Sequence, residues 1–559
     1  MAVELNPGIL AHAVELHATA TPERRVLTFD YPDHVEPVSY GALFQGARAV
    51  ASMLAETGLA EGDRFGIMMR NHPEFAHGLV AASLGGFVAV PLDPRMKGAK
   101  LRYMVAHSRA RSILCTYDLL PVLIDAGPPG VRLLVTRVPA GATLPAGAVD
   151  LGAVLAAPRP AGFAQRVTDP RTPWQIMYTS GTTGDPKGVV CENARFALYA
   201  ATGRLIFQYR DDDVLYTGLS LTHGNAQAVT FSNAVAHGIP AVISERFTKS
   251  RLWDVCRRHG CTTFSLLGGM ATAIYAEPPR PDDADNPVRF VVSAGMPRAL
   301  WADFERRYGV EILEWYGAID GGVAFKPVGV GPTGSFGKPL PGMEMKVVDE
   351  QDAECPPGVA GELICRYVGG PTTIEYLDNP EASAAKTRGG WIRTGDVCHA
   401  DADGWLFFDY RKGGGLRHNG DFVLPDYVER AAIEYPGVTD ACCYGVPAAS
   451  GAPGESDIVL AVVPRVAGAL DPAALFRHLA DRLEANCLPS YLQVLDEIPK
   501  TISEKPQVRF LTERLGADGA VVYRPADVRG SRRVADGTQG SDRSPALDAV
   551  SPAVQTRRA

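Results

Sequence analysis

The most informative stretch of the sequence reads Tyr178-Thr179-Ser180-Gly181-Thr182-Thr183-Gly184-Asp185-Pro186-Lys187-Gly188. It follows an apolar run with Trp174, Ile176 and Met177, which predicts a strand that leads into a loop. Glycines let several backbone N–H groups face one anion, hydroxyls add further donors, and Lys187 adds a mobile cation. Because Gly188 follows the lysine, the stretch departs from the GxxxxGK[ST] pattern of P-loop NTPases. We interpret it as a phosphate-binding loop, with an ordinary surface turn as the alternative.

Helix-like and strand-like segments alternate on both sides of this loop. A helical period followed by an apolar strand recurs at residues 40–55 and 64–69, at 252–259 and 262–267, and at 298–308 and 310–315. Such alternation predicts a parallel α/β architecture. Residues 334–366 change to short strands with Gly and Pro turns, which predicts a β-rich subdomain.

The C-terminal part of the sequence differs from the rest. A glycine-rich break at residues 411–415 precedes a small set of helices and strands, and no aromatic residue follows Tyr523. We therefore predict an N-terminal domain at 1–410, a small α+β domain at 411–524 and a disordered tail at 525–559.

The composition is typical of a globular protein. Of 559 residues, 46% are hydrophobic and 21% are charged, and the net charge is −8. This mild acidity gives no overall electrostatic reason to bind nucleic acid or an anionic membrane. Ten scattered cysteines, with no recognisable secretory leader, predict reduced thiols in the cytoplasm. Polar residues within the uncharged stretch 214–244 argue against a transmembrane segment.

One small cluster could suggest a metal site. Cys256, His259 and Cys261 could be imagined as three zinc ligands. A fourth ligand at a recognisable spacing is missing, so ordinary packing is the favoured interpretation.

Further pieces of sequence follow the loop in order. They are Ser293-Ala294-Gly295-Met296-Pro297, Tyr316-Gly317-Ala318-Ile319-Asp320, Gly334-Ser335-Phe336-Gly337-Lys338-Pro339, Arg393-Thr394-Gly395-Asp396, Arg411 with Gly420, and Pro499-Lys500-Thr501-Ile502-Ser503-Glu504-Lys505. Together with the loop they resemble the signature of the adenylate-forming superfamily, which includes acyl-CoA synthetases, peptide-synthetase adenylation domains and firefly-type luciferases. The surroundings of His223 and Trp315 resemble the crotonobetaine/carnitine-type CoA ligases in particular. The resemblance implies a large N-terminal α/β domain with a β-rich subdomain and a small, mobile α+β C-terminal domain.

The resemblance also implies a two-step reaction that uses ATP, Mg²⁺ and CoA. A carboxylic acid attacks the α-phosphorus of ATP to give acyl-AMP and pyrophosphate, and the thiol of CoA then displaces AMP. The implied catalytic residues are Lys505, Thr183 and Asp320, of which Asp320 would also ligate the metal. The implied nucleotide and cofactor residues are Thr179, Ser180, Gly181, Thr182, Thr183, Gly184, Lys187, Gly295, Met296, Pro297, Trp315, Tyr316, Gly317, Asp396, Arg411 and Gly420.

The family also implies roles for Asp396, Tyr316 and Arg411. By resemblance, Asp396 would accept hydrogen bonds from the ribose, and Tyr316 would stack on adenine opposite the backbone of residues 295–297. Arg411 would precede the hinge about which the small domain rotates. Taken without the resemblance, Asp396 is a turn residue, Tyr316 a core tyrosine and Lys505 a solvated lysine.

The sequence departs from the family pattern at several positions. Ile319 and Asp320 stand where the family usually has Thr and a metal-ligating Glu, and Asp is shorter by one methylene. Gly414 replaces the usual polar hinge residue, and Glu504 precedes Lys505 where a glycine is usual. These changes make slow or conditional adenylation an open possibility.

The acyl pocket is predicted from residues 219–226, which contain no Asp or Glu. A peptide-synthetase adenylation domain would need an acidic residue there to pair with an amino group. The predicted pocket residues are His223, Asn225, Ala226, Gly295, Trp315, Gly317, Gly321 and Gly322. Several are small, which favours a bulky or alicyclic acyl group.

An acyl-CoA ligase is the favoured hypothesis. An enzyme that loads a separate carrier protein or another acceptor, and a degenerate member that binds ligand without turnover, are the alternatives.

Overall fold

The structure is a computed structural model that describes residues 4–127, 130–157, 163–179, 186–275, 277–298, 300–370, 372–411, 415–450, 455–499, 506, 508–517 and 520–528. The chain forms two compact units, Met1–Gly414 and Gly415–Ala559.

The strands are, in chain order, β1 Arg25–Asp30, β2 Val35–Ser39, β3 Arg64–Met68, β4 Val88–Leu92, β5 Ser112–Thr116, β6 Arg132–Thr136, β7 Val149–Asp150, β8 Pro173–Thr179, β9 Lys187–Glu192, β10 Leu215–Thr217, β11 Ala241–Ser244, β12 Thr263–Leu267, β13 Phe290–Ala294, β14 Glu311–Gly317, β15 Val323–Lys326, β16 Lys338–Pro339, β17 Met343–Val348, β18 Gly361–Tyr367, β19 Ile392–Ala400, β20 Leu406–Arg411, β21 Leu416–His418, β22 Asp421–Val423, β23 Val438–Pro447, β24 Ser456–Pro464, β25 Tyr491–Val494 and β26 Val521–Tyr523.

The α-helices are, in chain order, α1 Leu10–Ala20, α2 Tyr40–Glu56, α3 Pro73–Gly85, α4 Gly98–Ser108, α5 Leu120–Ala126, α6 Leu151–Ala156, α7 Ala194–Leu205, α8 Ser232–His237, α9 Leu252–His259, α10 Gly268–Tyr275, α11 Trp301–Tyr308, α12 Pro380–Lys386, α13 Pro425–Ile433, α14 Pro472–Arg482, α15 Val508–Leu515 and α16 Pro525–Val528. Short 3-10 turns lie at Tyr117–Leu119, Arg388–Gly390 and Ala485–Cys487, and Ala226–Phe231 is a π-helix.

Two largely parallel sheets make up most of the first unit. The nine strands of one sheet run in the order β16-β15-β14-β13-β12-β10-β11-β1-β2, and the seven strands of the other run β7-β6-β5-β3-β4-β8-β9. Their central neighbours pair in parallel, while β2, β9, β15 and β16 pair antiparallel at the edges. The α/β prediction is therefore confirmed. Parallel strands end on one edge of a sheet, so the segments after β10, β12, β13 and β14 share an edge.

The remaining sheets are smaller. Strands β17-β18-β19-β20 form an antiparallel sheet, so the predicted β-rich region extends past residue 366 to Arg411. In the second unit, β21 and β22 form a ribbon, and β23-β24-β25-β26 form a mixed sheet with α13 and α14. These helices and strands match the predicted small α+β unit.

Local sequence signals explain why individual elements begin and end where they do. The Ser39 hydroxyl caps α2 by accepting a hydrogen bond from the Ala42 amide at 3.2 Å. Helix α3 starts with Pro73 and stops at Gly86, which has a φ of 71°. Such signals set most helix bounds within a few residues of those predicted.

The structure bears on the predicted tail, the possible zinc cluster and the possible membrane span. The predicted tail begins too early, because Pro525 starts α16 and Asp527 accepts from the Arg524 amide at 3.0 Å; residues 529–559 lie outside the described ranges. The imagined zinc cluster consists of two buried core cysteines and His259, whose Nε2 lies 3.0 Å from Asp30 Oδ1. Within the described ranges, no helix has the length and apolar character needed to cross a membrane.

Candidate active site

The two ends of the predicted phosphate loop are adjacent antiparallel strands. Thr179 ends β8 and pairs with Lys187, which begins β9. The Leu377 amide donates to the Gly188 carbonyl at 2.8 Å, which fixes β9 from its other side. The chain therefore turns back as a strand, whereas a P-loop continues into a helix. Ser180, Gly181, Thr182, Thr183 and Gly184 lie outside the described residues, so their predicted contacts with phosphate stay predictions.

Tyr316 and Asp396 meet although they are 80 residues apart in the sequence. The Tyr316 hydroxyl donates to Asp396 Oδ2 at 2.5 Å, which joins the end of β14 to β19 of the β-rich sheet. The Asp396 amide donates to the Thr394 hydroxyl at 3.0 Å, which also fixes the backbone at this residue. Burial, and then the Asp396 carboxylate, raise the pKa of Tyr316 well above its ordinary value. The phenol therefore stays protonated and remains a donor.

A buried carboxylate holds the backbone wall at residues 295–297. The amides of Gly295 and Met296 both donate to Glu314, the latter at 3.2 Å to Oε2. Gly295 has a φ of 94°, in the left-handed region that favours glycine. A Cβ on Gly268 would overlap the Gly295 carbonyl, so the first residue of helix α10 approaches this wall by its backbone alone. Burial raises the pKa of Glu314 to about 7.

Trp315 and Tyr316 point to opposite sides of β14, as neighbouring strand residues do. Tyr316 faces Asp396, whereas the Trp315 ring packs edge-on against Phe207 with centroids 5.5 Å apart. Gly317 lies under the Trp315 ring, because a Cβ there would overlap it. The Trp315 indole N–H has no hydrogen-bond partner among the described residues. The structure thus groups Trp315 with the core that contains Ala226 rather than with the nucleotide residues.

The predicted acyl residues lie on the segment that follows β10. The Asn225 amide N–H donates to His223 Nδ1 at 3.2 Å, and Asn225 precedes the π-helix that begins with buried Ala226. Asn225 is 6% exposed, and neither atom of its side-chain amide has a partner within the ranges described above. Such short π-helical segments are frequent at functional sites.

A pair of glutamines ties this π-helix to the strand of the phosphate loop. Gln175 Nε2 on β8 donates to Gln227 Oε1 at 2.9 Å, and Gln227 Nε2 donates to the Leu221 carbonyl at 2.8 Å. Both side chains are fully buried. Buried polar groups of this kind are costly unless paired, so the pair fixes the relative position of the two segments.

Asp320 lies in a cluster of cations. Its Oδ2 is 2.6 Å from Lys386 Nζ and accepts from the Tyr376 hydroxyl at 2.8 Å. Lys187 Nζ lies 5.6 Å from the centroid of the same Tyr376 ring. The Arg195 guanidinium donates to the Ile319 carbonyl at 3.0 Å. Residues on β9, α7, α12 and the loop after β14 therefore converge here.

The remaining predicted residues are placed less fully. A Cβ on Gly321 would overlap the side chain of Ile392, so the absence of a side chain here lets the β-rich sheet pack closely. The role of Gly321 in the acyl pocket stays a prediction. The backbone of Arg411 lies opposite Asp396 in the β19–β20 pairing. In the second unit, Gly420 lies in the β21–β22 turn, and its amide donates to Glu455 Oε2 at 3.2 Å. Lys505 lies outside the described residues.

The sequence motifs did not point to Glu314, Tyr376, Lys386 or the two glutamines. Glu314 and Gln175 had a signal, since each is a polar residue between two apolar neighbours in its strand. Lys386 and Tyr376 had no sequence signal, because nothing in their local sequence indicates a buried position facing Asp320.

Comparison with known proteins adds a family relationship. The profile of AMP-binding enzymes matches residues 14–375, and that of the AMP-binding enzyme C-terminal domain matches residues 427–505. The chain is 30% identical to a medium/long-chain-fatty-acid–CoA ligase of Mycobacterium marinum, covering 85% of this chain and 90% of that protein. It is 30% identical to a sulfoacetate–CoA ligase of Cupriavidus necator, covering 89% and 96%.

Solved structures share the fold. The o-succinylbenzoate CoA synthetase of Bacillus subtilis, solved with a product analogue, superposes with a TM-score of 0.75 at 22% identity, covering 90% of this chain and 98% of that one. The amide bond synthetase of Marinactinospora thermotolerans gives a TM-score of 0.75 at 22% identity, with 90% and 99% covered.

Proposed function

The chain belongs to the family of AMP-binding enzymes and is an AMP-forming acyl-CoA ligase, and we propose that Tyr316 and Asp396 hold its nucleotide. The hydrogen bond between these two residues carries the assignment, because it joins two motifs from different sheets into one site. In this proposal the Asp396 carboxylate, positioned by Tyr316, accepts hydrogen bonds from the ribose hydroxyls. The wall at residues 295–297, fixed by Glu314, faces the adenine in this proposal.

The reaction takes place in two steps. In the first, a carboxylate oxygen of the acid attacks the α-phosphorus of ATP, the bond to the β-phosphate breaks, and pyrophosphate leaves. In the second, the sulfur of CoA attacks the acyl carbon, the bond from that carbon to AMP breaks, and the thiol proton is released. Both partners of the first step are anions, so the site must neutralise charge and align the reactants.

Cations of this chain supply that neutralisation. Lys187 stands at the end of the predicted loop, and Lys386 and Arg195 lie near it around Asp320. We assign the β- and γ-phosphates to the 179–187 loop and the developing charge at the α-phosphate to Lys505. The acid lies on the side of the π-helix, where His223, Asn225 and Trp315 would contact its acyl part.

Magnesium is expected for this chemistry, but a direct bond to Asp320 does not suit the geometry. One oxygen of its carboxylate, Oδ2, is already held by an ammonium and a phenol, and the ammonium would repel a metal ion bound to the other oxygen. Mg²⁺ often binds mainly through waters and substrate phosphates, so it would enter this site with ATP. CoA as the acceptor and the cytoplasm as the location are parts of the same proposal.

One assay tests the function and separates its alternatives. The protein is incubated with ATP, Mg²⁺ and a panel of acids that includes medium- and long-chain fatty acids, sulfoacetate and aromatic acids, with hydroxylamine as the trap. We expect hydroxamate without CoA, and an acyl-CoA thioester with release of AMP when CoA is added. Hydroxamate without any thioester would indicate another acceptor. ATP binding without hydroxamate across the panel would indicate a non-catalytic member.

A further inference from the structure

The Asp320 carboxylate is the residue matched by motif to the family's metal ligand, yet its surroundings are cationic. Lys386 Nζ and the Tyr376 hydroxyl approach the same oxygen, Oδ2, at 2.6 and 2.8 Å. The side chains of Lys386 and Asp320 are 11% and 7% exposed, so solvent screens this pair poorly. Both distances are those of strong, charge-assisted or short hydrogen bonds.

The cluster as a whole favours an anion over a free metal ion. The cations Lys187, Lys386 and Arg195 outnumber the carboxylates of Asp320 and of Glu192, which interacts electrostatically with Arg195, so these five side chains have a formal charge of 3 − 2 = +1. A divalent ion bound directly to Asp320 would lie close to the Lys386 ammonium. Both side chains are largely shielded from water, so the two positive charges would repel each other strongly. The phosphates of ATP, in contrast, would be attracted to the same cluster.

The position of Lys386 is set by its helix. It is the last residue of α12, whose first turn is capped by Asn379 Oδ1 accepting from the Ala382 amide at 2.9 Å. The Ser383 hydroxyl, on the same helix, accepts from the Tyr376 amide at 2.9 Å. Lys386 and Tyr376 thus lie on one short segment that is held together by hydrogen bonds, and both contact Asp320 from it.

We propose that Lys386 serves as an internal cation for Asp320 in place of a directly bound metal ion, and that a divalent ion enters this site only with the phosphates of ATP. The inference rests on the proposed function, since Asp320 is matched to the metal position through the family motif. Lys386 is a positioning residue: it holds Asp320 and keeps positive charge at the phosphate site.

The test measures metal binding without nucleotide or acid. Mn²⁺ is titrated into the full-length protein and free Mn²⁺ is followed by electron paramagnetic resonance. Lys386→Met keeps the length of the side chain but removes its charge, and Lys386→Arg keeps the charge. Arg388→Met is the matched control, because Arg388 lies two residues further on, is 64% exposed and pairs with Asp352 instead.

We expect wild type, Lys386→Arg and Arg388→Met to bind Mn²⁺ equally weakly. Lys386→Met should bind it at least about ten-fold more tightly, because one repelling charge is gone and Asp320 is free to ligate. The double variant Asp320→Asn/Lys386→Met should lose that gain. Lys386→Met binding like the wild type would overturn the proposal, and so would tight binding by the wild type that Asp320→Asn abolishes.

Two further measurements keep the result interpretable. If Lys386→Met does not fold, as judged by circular dichroism, the comparison of wild type with Asp320→Asn still decides: equal Mn²⁺ binding supports the proposal, and weaker binding by Asp320→Asn contradicts it. The hydroxamate assay on the wild type reports separately on the function. A wild type that makes no hydroxamate but passes the Mn²⁺ test would fail the proposed function and leave the lysine–aspartate assignment standing.

Discussion

Replacing Tyr316 with Phe removes one hydroxyl and keeps the aromatic ring. The lost hydrogen bond is the one to Asp396 Oδ2 at 2.5 Å, and Asp396 is buried. Hydrogen bonds to charged groups contribute about 1.5–3 kcal/mol, which corresponds to roughly a ten- to hundred-fold change in an equilibrium constant. Because the carboxylate would then lose one restraint where it must accept from the ribose, we expect AMP to bind Tyr316→Phe about ten- to hundred-fold more weakly.

Isothermal titration calorimetry with AMP measures this loss directly. Tyr40→Phe is the matched control, since its buried hydroxyl donates to the Val235 carbonyl at 2.6 Å, and Tyr40 directly follows β2, which lies six strands from β14 in the nine-stranded sheet. The control should lose stability but bind AMP as the wild type does. If Tyr316→Phe binds AMP as tightly as the wild type while Asp396→Asn loses binding, the coupling of these residues is refuted.

Three further predictions concern other parts of the site. Burial raises the pKa of Glu314 to about 7 from 4.5, so the folded state binds the proton more tightly than the unfolded state and the stability due to this group is lost as pH rises through 7. The free energy of unfolding of the wild type should therefore fall by up to about 3 kcal/mol relative to Glu314→Gln between pH 5 and 8 in denaturant titrations, and parallel pH profiles would contradict this. Lys505→Ala should abolish adenylation but spare thioester formation from supplied acyl-AMP, and equal loss of both steps would rule out its assigned role. Asn225→Leu should change kcat/KM among acids with and without polar acyl groups by about ten-fold, because its side-chain amide has no partner among the described residues and can contact the acyl part; an unchanged ranking of acids would exclude that contact.

The fold could be predicted from the sequence because its signals are local. The alternating segments are long enough to show their period, and Gly86 and Pro73 mark where α3 ends and begins. The order of the strands in the two sheets could not be predicted, since neighbours such as β1 and β11 lie far apart in the chain. Such pairings depend on tertiary packing, which one sequence does not display.

The site was predictable only where motifs carry the chemistry. Tyr316 and Asp396 were identified from separate motifs, but their mutual hydrogen bond appears only when β14 and β19 come together. Glu314 gave only a weak signal, because an acid in a strand usually faces solvent, whereas this one accepts two backbone amides in the core. Lys386 was hidden because a lysine at a helix end is usually solvated, and only the fold buries it against Asp320.

The central claim is that this chain activates a carboxylic acid as acyl-AMP at the site around Tyr316 and Asp396. Acid-dependent exchange of labelled pyrophosphate into ATP measures that step without CoA. The account predicts exchange with the wild type for at least one acid of the panel, and its loss in Asp396→Ala with the fold intact. Exchange that persists in Asp396→Ala, or cleavage of ATP to ADP and phosphate in place of exchange, would contradict it.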